Sequence, residues 1–118
     1  MVQSIDDRVP VRFGAADIAM PEEALLVEGN APMPAGQPVA RFQLVPSLIG
    51  HPIGCACCTP RGPVAEVLGR LFVARARGEV AFFRSMVAVV TTSGGRTAVR
   101  AALAQDQVCA GRFRLAER

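Results

Sequence analysis

"SMVAVVTT", residues 85–92, decides the fold. Met86 to Val90 form an almost unbroken apolar run rich in valine. A strand with one wet face alternates apolar and polar residues. A run without alternation needs cover on both faces, as in the middle of a parallel sheet. Helical patterns stand on both sides of it. Downstream, "SGGRTAVRAALAQ" (93–105) turns into a helix. Upstream, "PVAEVLGRLFVARARGE" (63–79) is the clearest helix of the chain. Pro63 suits a first helical position, where its missing N–H costs nothing. Val64, Val67, Leu68, Leu71 and Phe72 recur at the spacing of one buried helical face. Gly78 is placed to end the helix as a residue that turns with positive φ.

Farther out, "VPVRF" (9–13) sets Val9, Val11 and Phe13 on one side and reads as a short strand. "EALLVEG" (23–29) carries a compact run, Leu25 to Val27, suited to a buried strand closed by Gly29. "VARFQLV" (39–45) sets Ala40, Phe42 and Leu44 opposite Val39, Arg41, Gln43 and Val45, until Pro46 stops it. Between these strands "NAPMPAGQP" (30–38) packs three prolines and a glycine into nine residues and reads as a loop. "GAADIAM" (14–20) fits neither period. "GRFRLAER" (111–118) ends in a short strand. The order is three strands, a cysteine-bearing loop, a helix, a strand and a helix. It predicts an α/β fold, a small parallel or mixed sheet with flanking helices, as a single domain over residues 1–118.

The composition bounds the function. The chain has 118 residues and is 51% hydrophobic, enough to bury a core without disulfides or a metal. No apolar run approaches the ~20 residues of a membrane span. The opening "MVQSIDDRVP" lacks the basic and apolar regions of a secretory leader, so the expected compartment is the cytoplasm. There, clustered cysteines stay reduced and point to metal or redox chemistry. The formal charge is +3, and all 13 basic residues are arginine. Mechanisms that need a lysine are excluded. Glu66 and Arg70 have the i,i+4 spacing of a solvated helical face. The arginines are scattered along the sequence, so no nucleic-acid partner is expected.

"HPIGCACCTPRGP" (51–63) holds Cys55, Cys57, Cys58 and the only histidine, His51. Thiolates are soft ligands for zinc or copper(I). In an extended chain Cys55 and Cys57 face one way and Cys58 the other, so three-thiolate ligation needs a turn. Gly54 and Thr59-Pro60-Arg61-Gly62 permit it. The fourth tetrahedral position is open to His51, Glu28 or water. Two other readings remain: buried structural thiols, and a redox pair at the Cys55 to Cys58 spacing without the usual strand-then-helix context. Cys109 reads as a core thiol. Gly94-Gly95 ahead of a helix is a weak anion-cradle signal. No paired carboxylates or Ser-His-Asp set stand out, so no catalytic residue is assigned.

The segment "GCACCTPRGPVAEVLGRLFVARARGE" resembles the C-x-C-C metal-binding segment of the CobW-type P-loop GTPases, a family of metallochaperones. The resemblance continues through the strand "MVAVV", its end "TTSGG", a helix, and the Arg-Phe-x-Leu segment near the end. It is close over residues 53–118 and looser upstream. The resemblance implies a truncated P-loop NTPase-like fold with Cys55, Cys57 and Cys58 as metal ligands, zinc in first place. Glu28 matches loosely an acidic residue that the family has after its second strand. The departures are specific. The strand "VPVRF" leads into "GAADIAM" instead of the glycine-lysine phosphate loop, Thr91 stands where an acidic magnesium-holding residue is expected, and the guanine-recognition motif and C-terminal domain do not follow. A degenerate relative without GTP binding or hydrolysis is implied. Its expected partners are a second copy or a full-length relative, reached through an exposed sheet edge. The alternative is a partner-binding remnant with structural thiols and no metal.

Overall fold

The computed structural model describes residues 7–44 and 62–116. Five strands form one sheet: β1 (Val9–Phe13), β2 (Ala24–Glu28), β3 (Val39–Phe42), β4 (Met86–Val89) and β5 (Phe113–Leu115). Their spatial order is β3-β2-β4-β1-β5, and every neighbouring pair is parallel. The sheet is therefore all-parallel, not mixed. The helices are α1 (Pro63–Ala76), α2 (Ser93–Gln105) and α3 (Gln107–Arg112), with a 3-10 turn at Ala16–Ile18.

Alternation along the strands separates two cores. Val9, Val11, Ala24, Leu26, Met86, Ala88 and Phe113 point to the side carrying the helices, where Val64, Leu68, Val99 and Leu103 meet them. Leu25, Val27 and Val87 point to the other side, against Ala19, Met33, Val39 and Val89. β4 lies at the centre with side chains in both cores, which accounts for its unbroken apolar run. The second face has no α-helix among the described residues; the segments following β1 and β2 cover it instead.

Connections that move one way across the sheet (β1 to β2, β2 to β3) lie on the loop side. Those moving back (β3 to β4, β4 to β5) lie on the helix side. All four thus share one hand, as parallel crossovers require. Helix α1 begins at Pro63 and ends ahead of Gly78, whose φ is +75°. Its buried residues are Val64, Ala65, Leu68 and Leu71, while Val67 and Phe72 are half-buried. Strand β3 stops at Phe42, short of the reading that ran to Val45, which lies outside the described residues. Among the described residues, no helix is long and apolar enough to cross a membrane.

Candidate functional site

The chain leaves β1 toward the loop side of the sheet and leaves the adjacent β4 toward the helix side. In open α/β sheets, ligands bind at the carboxyl ends of strands that diverge in this way. Here that edge is built from Phe13 closing β1 and Gly14 after it, Thr91 and Thr92 after β4, and the buried Glu28 closing β2. The Arg96 guanidinium lies 4.2 Å from the centre of the Phe13 ring.

Glu28 shares strand parity with Ala24 and Leu26, so its carboxylate faces the helix layer. A lone carboxylate in that place would be costly to desolvate. The turn after β4 supplies the remedy. Glu28 Oε1 accepts hydrogen bonds from Thr91 N (2.7 Å), Thr92 N (3.0 Å) and Thr91 Oγ1 (3.2 Å). Oε2 accepts from Thr92 Oγ1 at 2.7 Å. The Thr92 hydroxyl also accepts from Gly95 N at 2.9 Å, so Thr92 caps α2 while holding Glu28. Burial pushes the carboxyl pKa up, but these donors outweigh it and hold it below the ordinary value. The negative charge also sits at the favourable end of the helix dipole. A Cβ at Gly95 would overlap the Glu28 carboxylate, so the helix requires glycine there.

Gly94 and Gly95 thus lie inside the first turn of α2 instead of ahead of it. The anion held at this helix start is the chain's own carboxylate. At the position the resemblance assigns to a phosphate loop, several backbone amides are already engaged. Gly14 N donates to Ala88 O at 3.2 Å, Ile18 N to Ala15 O at 3.1 Å and Ala19 N to Ala16 O at 3.1 Å.

Cys55, Cys57, Cys58 and His51 lie outside the described residues. The flanks of their segment are described. Leu44 Cδ1 lies 3.3 Å from where a Gly94 Cβ would stand, so Leu44 meets the first turn of α2 beside Glu28. Gly62 and Pro63 line a groove with Ala98 and Ala102 of α2 and with Asp106, which follows that helix. Among the described residues, no three His, Cys, Asp or Glu side chains converge. Glu28 is the one candidate ligand in view, and Oε2, with a single donor bond, is its less engaged oxygen. Chemically the set suits a thiophilic ion: three thiols with one nitrogen or oxygen ligand. Cys109 is buried in α3, its Sγ 3.9 Å from Ala65 O, in the core as expected.

A second polar tie had no counterpart in the sequence reading. Arg12, on the loop-side face of β1, forms a two-pronged ion pair with Glu23; Nη2 donates to Oε1 at 2.8 Å and Nη1 to Oε2. Met20 N and Ser85 Oγ donate to the same carboxylate at 2.8 and 2.6 Å. Its chief cause being the Arg12 hydrogen bonds, the Glu23 pKa is lowered to about 2. The available signal was an arginine on a strand with a glutamate just ahead of a buried run. Comparison with family models, curated proteins and solved structures finds no match to this chain.

Proposed function

We infer that the chain binds a thiophilic divalent metal ion, zinc in first place, through Cys55, Cys57 and Cys58, with His51 or Glu28 as the fourth ligand. The observation that carries this reading is the position of Leu44. Leu44, the last described residue before the stretch that carries the cysteines, meets the same first turn of α2 that holds the buried Glu28 carboxylate. Leu44, seven positions before His51 in the sequence, thus stands against the turn that holds the Glu28 carboxylate. The all-parallel sheet agrees with the fold class that the resemblance to CobW-type metallochaperones implies. Nucleotide hydrolysis has no part in the reading, because the sequence contains no lysine for a phosphate loop. A cytoplasmic metal-holding or metal-passing protein follows, acting as a homodimer or alongside a full-length relative.

The test is metal content of the tag-free protein by mass spectrometry, with zinc titration of the apo form under reducing conditions. One tightly bound equivalent, lost in Cys57→Ser with the fold retained, supports the reading. A Glu28→Gln variant with unchanged zinc affinity assigns the fourth place to His51 or water. If no zinc binds and cobalt(II) gives no thiolate charge-transfer band, the metal reading falls and the partner-binding reading replaces it.

A further inference from the structure

At the amino end of the sheet, away from Glu28, the fold gathers arginines and phenylalanines from three separate segments. Arg112, closing α3, lies 4.5 Å from the centre of the Phe72 ring in α1. Arg75, one helical turn on, lies 5.4 Å from Phe72 and 4.1 Å from Phe82. Arg84, just ahead of β4, lies 5.5 Å from Phe82. The result is an alternating row: Arg112, Phe72, Arg75, Phe82, Arg84. None of the three arginines has a carboxylate partner among the described residues. Phe82 is 57% exposed despite its size. Arg75 Nε is itself buried without a hydrogen-bond partner among the described residues, a guanidinium edge left short of an acceptor.

Beside this row runs a groove of about 740 Å³ between α1 and α3. Gly69, Val73, Ala74 and Val108 supply its apolar lining, and Arg70 and Arg112 flank it. Val73 and Val108 are more than 40% exposed, so with Phe82 three of the large exposed hydrophobic side chains share this end. Glu66 and Glu79 stand at the rim, and Glu79 is paired with Arg77 at 3.3 Å. Five arginines (Arg70, Arg75, Arg77, Arg84 and Arg112) against two glutamates leave the surface cationic. Arginine and aromatic residues around an exposed apolar strip make up the composition of protein interface centres.

We propose that this end of the domain docks an acidic amphipathic segment of a partner protein, its apolar side in the α1–α3 groove and its carboxylates on Arg75, Arg84 and Arg112. Charge complementarity selects the acidic partner, and the exposed valines select one with apolar anchors. None of the residues that build this surface is a proposed metal ligand, and Glu28 lies at the opposite end of the sheet.

The test uses a fluorescein-labelled peptide of repeated Glu-Leu-Leu-Glu-Asp units, a twin with Lys for every Glu and Asp, and labelled oligo(dT). Anisotropy titrations are run at low and high salt. Saturable binding of the acidic peptide alone is expected, weakening with salt. Phe82→Ala, Arg112→Gln and Val73→Asp each reduce its affinity about tenfold or more. All three positions are at least partly exposed, and circular dichroism checks that the fold persists. The proposal is overturned if the acidic peptide fails to bind, if the basic twin binds equally, or if the variants leave affinity unchanged. Oligo(dT) binding with the same dependence on the three positions would reassign the surface to nucleic acid.

Discussion

Glu28 Oε1 accepts the backbone N–H of Thr91 at 2.7 Å, across 63 positions of sequence, and this bond joins the end of β2 to the turn that starts α2. Removing the charge leaves the donors of Thr91 and Thr92 partly unmet inside the protein. Glu28→Gln is expected to lower unfolding free energy by about 1–3 kcal/mol, measured by urea denaturation. Gly95→Ala should destabilise as well, because its Cβ meets the same carboxylate. In the double variant Glu28→Ala/Gly95→Ala the loss should be smaller than the sum of the losses in the single variants Glu28→Ala and Gly95→Ala, the signature of a shared contact.

Stability should fall on acidification. Glu23 and Glu28 both titrate below the ordinary value of 4.5 in the folded chain, Glu23 at about 2. A depressed carboxyl pKa means that the unfolded chain binds protons more readily. The contribution is therefore complete above the unfolded value and is lost as pH drops through the folded one. For Glu23 the window runs from 4.5 down to about 2. Glu23→Gln should flatten the acid limb of a stability–pH curve over that window. An unchanged limb would show that the Arg12 pair contributes nothing to acid resistance.

Cys109 separates structural thiol from ligand. Cys109→Ser replaces a buried thiol beside Ala65 O with a smaller, more strongly solvated hydroxyl and should cost about 1–3 kcal/mol of stability. Zinc stoichiometry should be unaltered. Cys57→Ser should do the reverse: lower zinc content and unchanged denaturation of the apo form. Parallel mass spectrometry and denaturation of the two variants check both statements.

Phe113 stands at the start of β5, fully buried, with the Phe72 ring edge-on at a centroid distance of 5.8 Å. Phe113→Ala removes a ring from the helix-side core and should destabilise by about 3–5 kcal/mol. The change in urea midpoint measures it, and an effect below 1 kcal/mol would mean that the core closes over the gap.

Elements whose signal is local were readable from the sequence. Met86 to Val90 lack any polar alternation because β4 is covered on both sides, and the apolar spacing of α1 follows its buried stripe from Val64 to Leu71. Helix α3 escaped because six residues are too few to display a period. Its signal was the cap: Asp106 accepts from Val108 N and Cys109 N, both at 3.1 Å. Ala65 was passed over because a small residue weighs little in a hydrophobic pattern, although the helix buries it. The environment of Glu28 was beyond reach in the sequence. Its partners Thr91 and Thr92 become neighbours only through the β2–β4 pairing, so a residue read as a loose ligand candidate is also the counter-charge of α2. The arginine–phenylalanine row was hidden for the same reason, since segments around residues 72, 82 and 112 meet only in the fold.

The strand order sets a timetable for assembly. β4 lies between β2 and β1, and β1 has no hydrogen-bonded neighbour other than β4 and β5. As the chain emerges during synthesis, β2 and β3 can pair early, but Val9 and Val11 have no strand to join until residues 86–89 arrive. Closing the sheet therefore means inserting the last inner strand between two that have waited, a non-local step of the kind that slows folding and leaves apolar edges open to chaperones or to neighbouring chains.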